Sequence, residues 1–272
     1  MRERIVDPLH AILLGIVEGL TEFLPVSSTG HLLLVSHWLG VAKEQGDSFS
    51  IVIQAGAIAA VGVHYRALLG RHLKGLVQRD RQSLRLATAL IVAFLPTVLV
   101  ALKFRKAIKQ HLFGVTPVAI GLIVGGVVMI AVDRWRARQT NTRDDVEQLT
   151  LRDAGIVGVA QIAALWPGTS RSLSAIVGGQ IAGLSARAAA DFAFLLGLPT
   201  LGGACLYEGY KERAVLAECG ALSLTLGLVV SFLVAWAVIR VFLRYLQRGS
   251  LTPFGIYRLI LGAVVLALSF FT

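Results

Sequence analysis

The sequence predicts an all-α polytopic membrane protein: an inverted-topology repeat of six transmembrane helices and two re-entrant helix–loop–helix hairpins. Three observations lead to this prediction. Of the 272 residues 56% are hydrophobic and only 15% are charged, whereas about 25% of the residues in a soluble domain are charged. Several apolar runs reach the length of about 20 residues that a spanning helix needs. Two further apolar runs are interrupted near the middle by proline and polar residues.

Six uninterrupted apolar runs are long enough to cross a bilayer, because a spanning helix needs about 17–25 residues. We place these spans roughly at 47–65, 86–103, 116–132, 187–207, 220–243 and 253–271. Ser48 predicts a helix start because serine is a favoured capping residue. The pair Thr252-Pro253 predicts another, since a capping residue followed by proline is typical of a first helical turn. The long apolar runs therefore account for six crossings.

The two interrupted runs predict re-entrant hairpins. The first covers 8–40 and is broken at Pro25, and the second covers 151–182 and is broken at Pro167-Gly168. Each half is too short to cross a bilayer comfortably. Irregular backbone is not tolerated in contact with lipid, so each break must be buried in protein or line a wet cavity.

The two hairpins also predict an internal repeat. A shift of 142 residues places Pro25–Gly30 on Pro167–Ser172, and each hairpin is followed by three spans. Because three is odd, the second half must enter the membrane from the opposite face, which tends to put a functional site at the midplane. We expect a single membrane domain over 1–272, with repeat one at about 1–132, a basic cytoplasmic linker at 133–150 and repeat two at about 151–272.

The distribution of lysine and arginine predicts the orientation. The 66–85 and 133–152 loops lie on the more basic side, which is predicted to be cytoplasmic, although the 103–109 loop on the other side is also basic. Both termini then face outward. The net charge of +10 fits cytoplasmic loops attracted to anionic lipid, and no nucleic-acid partner is expected.

Two carboxylates in the first hairpin predict a metal site. Glu18 and Glu22 are four residues apart, so they share one helix face with their Cβ atoms about 6 Å apart. Ionisable groups inside a membrane segment are functional by default, and two close carboxylates repel unless a cation lies between them. Their oxygen ligands suit Mg²⁺ or Ca²⁺. The alternative is a carboxylate pair that faces an aqueous vestibule.

The residues after the first break predict an anion site. Pro25 ends the first half-helix, and Ser27, Ser28 and Thr29 can cap the second, whose N-terminus then faces the break. His31 follows Ser28 by three residues and so lies on the same face. A Ser/His pair beside an anion site supports nucleophilic or acid–base phosphoryl chemistry. Alternatively, the hydroxyls join neighbouring helices.

The second hairpin contributes a permanent cation. Arg171 presents a planar fork of donors, for which phosphate is the natural partner. The alternative is a structural pair between Arg171 and a carboxylate of the first hairpin. The polar neighbours expected to contact the substrate are Gln161, Thr169, Ser170 and Ser172, although Gln161 could equally join two helices. Carboxylates, hydroxyls and arginine indicate a multiply charged lipid head group with a hard cation, without separating hydrolysis from transport.

The motifs EGLTEFLPVSSTGH (18–31) and ALWPGTSRS (164–172) resemble the undecaprenyl-diphosphate phosphatase family of the bacitracin-resistance type. The resemblance covers nearly the whole chain and includes the Tyr257-Arg258 neighbourhood. It implies an integral membrane phosphatase of the bacterial inner membrane whose active site faces the periplasm. Such an enzyme removes the terminal phosphate of undecaprenyl diphosphate and regenerates the carrier lipid of peptidoglycan synthesis. It also implies dependence on a divalent metal, Mg²⁺ or Ca²⁺.

Residue roles follow from the same resemblance. Glu18 and Glu22 match the acidic motif and would hold the metal or tune the site. Ser28 and His31 would serve as nucleophile, or phosphate donor group, and general acid/base. Arg171 would clamp the diphosphate.

The second motif departs from the family pattern, which is usually PGxSRSGxT. This chain has Leu173 in place of the glycine and Ala175 in place of the threonine. Inverted repeats with broken helices are widespread among transporters, so a polyprenyl-phosphate translocase or secondary transporter stays the alternative. The sequence is compatible with a homodimer but does not determine the oligomeric state.

Overall fold

The computed structural model describes residues 6–112, 114–139 and 142–269, and within these ranges the chain is helical. The described ranges contain twelve α-helices and two short 3₁₀ segments at Val146–Gln148 and Ile162–Leu165. The first six helices are α1 (Pro8–Thr21), α2 (Ser28–Leu39), α3 (Lys43–His64), α4 (Arg66–Val77), α5 (Arg81–His111) and α6 (Val115–Arg136). The others are α7 (Leu151–Gln161), α8 (Arg171–Ile181), α9 (Ala186–Lys211), α10 (Arg213–Glu218), α11 (Ala221–Tyr245) and α12 (Thr252–Leu268).

Among the described residues, five helices are long and apolar enough to cross a membrane, namely α3, α5, α6, α9 and α11. They match five of the six predicted spans and confirm an all-helical, polytopic membrane protein. The remaining predicted span, 253–271, corresponds to α12, which has 17 residues. That length is at the lower limit for a crossing helix, so the count of six stays a prediction.

Two predicted loops are helical. The 66–85 segment contains α4, whose apolar residues recur at helical spacing. The prediction of a loop at 103–109 was wrong, because α5 continues through it to His111. Hydropathy marks where a helix leaves the apolar layer but not where its hydrogen bonding stops.

Two predicted helix starts need adjustment. Helix α3 begins at Lys43 after the N-cap Ala42, five residues before the predicted start at Ser48. Helix α12 has Leu251 at its N-cap, so Thr252 is already in the helix and the proline lies in the first turn. The first turn of α3 is polar and so lies outside the apolar run from which the span was predicted.

The order of elements repeats along the chain with a fixed offset at the start. Helices α7, α8 and α9 begin 143 residues after α1, α2 and α3, respectively. In both halves a hairpin and a long helix are then followed by a short helix and two further helices. The offset of the helix starts is thus one residue larger than the 142-residue shift that aligns the prolines of the two breaks.

The chain divides into two compact units whose segments alternate along the sequence. The described part of unit 1 lies within Met1–Leu24, Ser28–Tyr65 and Gly197–Val241. That of unit 2 lies within Pro25–Ser27, Arg66–Leu196 and Phe242–Thr272. Neither unit coincides with a predicted repeat, so the domain and repeat boundaries stay predictions.

In unit 1, small residues hold α1 against α11. A Cβ on Gly15 would lie 2.8 Å from the carbonyl oxygen of Gly227, and one on Gly19 would lie 2.8 Å from that of Ser231. Glycine lets two helix backbones approach this closely, as in many membrane helix pairs. The contact fixes the helix that carries both glutamates.

In unit 2, the pair α6 and α12 packs in the same way. A Cβ on Gly126 would lie 2.8 Å from the carbonyl oxygen of Gly255, and one on Gly262 would lie 3.0 Å from that of Ala119. These positions leave no room for a side chain unless a helix backbone shifts. The close contact sets the position of α12 along α6.

Arg143, in the predicted linker, holds the outer ends of the second hairpin. Its guanidinium donates to Oδ2 of Asp153 (2.6 Å) and to the carbonyl oxygen of Ala182 (2.5 Å), which follow the start of α7 and the end of α8. Asp153 also forms a capping box with Thr150. Burial tends to raise the pKa of Asp153, but the hydrogen bonds from Arg143 and Thr150 outweigh it and the pKa is lowered.

Replacing Gly126 by alanine tests the α6–α12 contact. The new methyl group would press on a backbone oxygen, so we expect destabilisation of about 1–3 kcal/mol. The apparent Tm in detergent should fall. Gly155 on α7 is the matched control, because nothing lies within 4 Å of the position that a Cβ would occupy there. Gly155→Ala should keep or slightly raise the Tm, and equal losses in both variants would contradict the packing argument.

The pair of Arg143 and Asp153 predicts a pH dependence. The folded-state pKa of Asp153 lies below the ordinary value of 3.8, so its stabilisation is complete above about pH 4 and is lost as the pH falls through the lowered value. The apparent Tm of the wild type should therefore decrease below pH 4. Arg143→Gln should have a lower Tm at pH 7 and a smaller further decrease on acidification. An Arg143→Gln profile parallel to that of the wild type would contradict the pairing.

Candidate active site

The carboxylates of the first hairpin are buried in unit 1. Helix α1 ends at Thr21, and the amide of Glu22 donates to the carbonyl oxygen of Glu18 (2.9 Å) as the helix closes. Glu18 is fully buried and Glu22 is 5% exposed. Two carboxylates one turn apart at a buried helix end need compensating positive charge or donors.

Glu22 accepts hydrogen bonds from two side chains of unit 1. The hydroxyl of Ser28 donates to Oε2 (2.6 Å), and Nε2 of Gln54 makes a longer contact with the same oxygen (3.4 Å). The thiol of Cys205 lies 3.6 Å from Oε1 of Gln54 and 3.2 Å from the carbonyl oxygen of Ile51. A carboxylate that accepts from a serine hydroxyl is placed to take its proton.

The other predicted residues of the first hairpin lie on or next to α2. His31 is half-buried and follows Ser28 by three residues, while Thr29 is exposed. Ser27 is 2% exposed and belongs to unit 2. The structure thus brings together Glu22 and Ser28, and it places His31 on the same helix as Ser28.

Each half-helix after a break is preceded by a serine in an unusual backbone conformation. Ser27 has φ of +75° and Ser170 has φ of +78°, a region that non-glycine residues rarely adopt. Both stand immediately before the helix start, at Ser28 and Arg171. Local strain of this kind persists where the surroundings enforce it, often at functional sites. Both half-helices therefore begin directly after a serine with a positive φ.

The start of α8 is organised by serine hydroxyls. Oγ of Ser170 accepts from the amide of Leu173 (3.3 Å) and lies 3.0 Å from Oγ of Ser172, which is fully buried. Arg171 is half-buried, and its Nη1 donates to the carbonyl oxygen of Ala193 on α9 (3.1 Å). The guanidinium is thereby held at the N-terminal end of the half-helix.

Two further predicted residues flank the second break. Gln161 is 1% exposed, and its Nε2 has no hydrogen-bond partner among the described residues. Thr169 is half-buried, and its amide donates to the carbonyl oxygen of Trp166 (3.1 Å). The indole of Trp166 donates in turn to the carbonyl oxygen of Pro117 (2.8 Å), which fastens the break to the first turn of α6.

The two departures from the family motif lie in the packed core. Leu173 is 3% exposed and Ala175 is fully buried. Ser174, between them, donates to the carbonyl oxygen of Ser170 (3.0 Å), so its hydroxyl is used within the helix. Leu173 and Ala175 therefore contribute to packing, and Ser174 does not replace the missing threonine hydroxyl.

Arg258 on α12 connects the two breaks within unit 2. The side chain is fully buried, and Nη1 donates to the carbonyl oxygen of Pro25 (3.2 Å). Nη2 donates to the carbonyl oxygens of Gly168 (2.8 Å) and Gly121 (3.0 Å). Pro25 and Gly168 are residues of the first and second breaks, so one guanidinium satisfies a carbonyl group in each.

The surroundings of Arg258 are shaped for a guanidinium. A side chain on Gly125 would collide with it, and Gly168, at φ of +92°, leaves no room for a Cβ against the backbone of Val118. No carboxylate in the described ranges lies within ion-pair distance of Arg258. Its charge is balanced by carbonyl dipoles instead, and losing it would leave several buried acceptors without a donor.

Sequence reasoning missed the roles of Gln54 and Arg258. Both are polar residues inside apolar helices, and the rule that intramembrane polar groups are functional by default would have selected them. Arg258 was noted only as part of the family resemblance. Its hydrogen bonds to two distant breaks depend on tertiary contacts, which one sequence does not show.

The structure divides the predicted site residues between the two units. Glu18, Glu22, Ser28, Thr29 and His31 belong to unit 1, and Ser27, Gln161 and Thr169–Ser172 belong to unit 2. Buried carboxylates, a hydroxyl that donates to one of them and an arginine at a half-helix start are typical of proteins that handle phosphate groups. The fold and these residues define a polytopic membrane protein of that class.

Comparison with known proteins identifies the family. Residues 11–264 match the family described as Bacitracin resistance protein BacA, and the chain belongs to it. The Undecaprenyl-diphosphatase of Sorangium cellulosum is 55% identical over 259 residues, which cover 94% of this chain and 84% of the relative. Undecaprenyl-diphosphatase 2 of Rhodospirillum rubrum is 47% identical over 95% of this chain and 94% of its own length. The Undecaprenyl-diphosphatase of Clostridium tetani is 42% identical over 97% of both chains.

Replacing Arg258 by methionine tests the connection between the breaks. The buried carbonyl groups of Pro25 and Gly168 would lose this donor, at about 1–3 kcal/mol each. The apparent Tm in detergent should therefore fall strongly. Arg258→Lys should recover only part of the loss, because an ammonium group lacks the planar fork. Arg240→Met is the control, since Arg240 is exposed on α11. Equal stability of Arg258→Met and Arg240→Met would contradict this role.

Proposed function

We propose that this protein is a membrane phosphatase that hydrolyses undecaprenyl diphosphate to undecaprenyl phosphate and inorganic phosphate. The observation that carries the proposal is the 2.6 Å hydrogen bond from the Ser28 hydroxyl to buried Glu22 beside the first break. Relatives that share nearly the whole chain are named for this activity. A break inside the membrane suits a lipid substrate, since the polyprenyl tail can stay in the bilayer.

The proposed reaction uses Ser28 and Glu22 together. Glu22 accepts the proton of the Ser28 hydroxyl as its oxygen attacks the terminal phosphorus, and undecaprenyl phosphate leaves. Water then releases inorganic phosphate from the serine. In the alternative route, Ser28 orients a water molecule that attacks directly. In either route, His31 would act as the general acid/base. Arg171 would stabilise the charge on the phosphoryl oxygens.

The diphosphate would be bound by the two half-helix starts. Helix N-termini favour anions through their amide groups and dipole. The polar side chains proposed to contact the phosphates are Ser27, Thr29, Gln161, Thr169, Ser170 and Ser172. The partnerless Nε2 of buried Gln161 supports this assignment for that residue, because a buried donor favours an acceptor.

The buried carboxylates fit a divalent cation that is completed by the substrate. The described ranges contain no group of three or more His, Cys, Asp or Glu residues that could form a full protein cage. Mg²⁺ is commonly held by one or two carboxylates plus substrate phosphates, and Glu18 with Glu22 supplies that set. Ca²⁺ would need more oxygens from water and substrate. When bound, the ion would neutralise phosphate charge.

The proposal includes placement in the bacterial inner membrane, with the site facing the periplasm, and an inverted-topology repeat. The basic 66–85 and 133–152 segments support this orientation. The fixed offset of α7–α9 from α1–α3 supports the repeat. Cysteine-labelling from each face of the membrane would test both. A homodimer stays a prediction, to be tested by mass measurement in detergent.

Phosphate release from undecaprenyl diphosphate by the purified protein tests the activity. The wild type should release phosphate with Mg²⁺ or Ca²⁺ and lose most activity in chelator. Glu22→Ala and Arg171→Ala should each lose at least about 100-fold in kcat/KM, as expected when a proton acceptor or a charge-stabilising donor is removed. Glu208→Ala and Arg187→Ala are matched controls on α9 that should keep activity.

Two outcomes would contradict different parts of the proposal. If the wild type releases no phosphate with either metal, the phosphatase assignment is contradicted. Release that survives Glu22→Ala or Arg171→Ala would remove the assignment of the site while keeping the activity. Lipid flipping by an inactive variant in liposomes would reveal transport as a separate activity.

A further inference from the structure

Helix α4 has three distinct faces. His72 and Gly75 are buried and pack against the start of α5, where His72 Nδ1 lies 3.0 Å from Oγ of Ser83. Leu73 and Val77, one helical turn apart, are 63% and 86% exposed. Lys74 is exposed on a third face. The helix is therefore held by its buried face and presents an apolar stripe beside an exposed lysine.

Two residues of α4 also contact Glu147 in the predicted linker at 133–150. Nε2 of His72 lies 3.0 Å from Oε1 of Glu147, and Arg71 donates to the same oxygen (2.8 Å). A Cβ on Gly75 would collide with the Ser83 side chain. These contacts within unit 2 fix the rotation of α4 about its axis, so the exposed stripe has a defined direction.

The position of α4 along the chain places it at a bilayer surface. It begins two residues after the end of candidate span α3 and ends four residues before the start of α5. Twelve residues of α-helix extend about 18 Å, which is too short to cross a hydrocarbon core of about 30 Å. A short helix between two spans, with an apolar stripe and basic flanks, matches an interfacial helix.

The net positive charge of residues 66–85 indicates which lipids this segment attracts. Residues 66–85 contain six basic residues and one acidic residue, and that acid, Asp80, caps α5 by accepting from Ser83. Basic residues next to membrane spans are attracted to anionic head groups.

We infer that α4 docks on the bilayer surface by inserting Leu73 and Val77 at the acyl boundary while Lys74 and its basic neighbours bind anionic phospholipid head groups. Such insertion reaches about 5–10 Å into the head-group and acyl boundary. Leu69 and Leu76, which are half-exposed on the same side of the helix, extend the apolar stripe. This docking is independent of the proposed phosphatase reaction.

Fluorescence quenching in nanodiscs tests the docking. An environment-sensitive fluorophore is attached to the full chain at Leu73→Cys, Val77→Cys or, as the matched control, Lys74→Cys. Protein without an introduced cysteine gives the background, since Cys205 and Cys219 are buried. Each disc holds one chain and contains phosphatidylcholine alone or with phosphatidylglycerol, with bromine at a shallow or a deep acyl position.

Probes at positions 73 and 77 should be quenched most by shallow bromine, and more strongly when phosphatidylglycerol is present, whereas the probe at position 74 should be little affected. Adding Lys74→Gln to the position-73 variant should lower the ratio of docked to undocked helix about fivefold. Equal quenching at 73 and 74 would overturn the docking, and indifference to phosphatidylglycerol would overturn the anionic selectivity. A second preparation contains discs that hold two chains. Shielding of position 73 in those discs alone would indicate self-association and overturn the proposal.

Discussion

The guanidinium of Arg258 is the contact on which both broken helices depend. A break inside a membrane leaves carbonyl groups that water cannot reach. Arg258 donates to one carbonyl in each break and to a third on α6. Glycines at 125 and 168 leave the space that this arrangement needs. The cost of burying one positive charge is offset because it meets two break carbonyls that would otherwise be unsatisfied and a third carbonyl on α6.

With the breaks fixed, the chemistry follows from what each half-helix presents. The first presents a hydroxyl that donates to a buried carboxylate, and the second presents an arginine held by the backbone of α9. Strained serines precede both helices. The rigid contacts of Gly15 and Gly19 with α11 hold the carboxylate helix in place. Reactive groups thus sit on backbone whose position is determined by packing rather than by loops.

The sequence predicted the membrane class, both breaks, five of the spans and a polar cluster in the first hairpin that includes Glu22 and Ser28, but not the hydrogen bond between these two residues. Hydropathy and proline position carry that information locally. The length of α5, the start of α3 and the helix in 66–77 were not predicted, because hydropathy does not mark where helical hydrogen bonding ends. The contacts of Gln54 and Arg258 join residues 32 and 233 positions apart, and only the folded chain shows such contacts.

The offset of 143 residues between the two hairpins pairs unlike residues. In this register Ser28 stands where Arg171 stands, and Glu18 stands where Gln161 stands. If the halves descend from a duplicated ancestor, then equivalent positions have diverged, one to a hydroxyl and the other to a guanidinium. A chain made of two first halves would lack the arginine, and one made of two second halves would lack both carboxylates, because Gln161 and Leu165 stand where Glu18 and Glu22 stand. Neither half could be exchanged for a copy of the other.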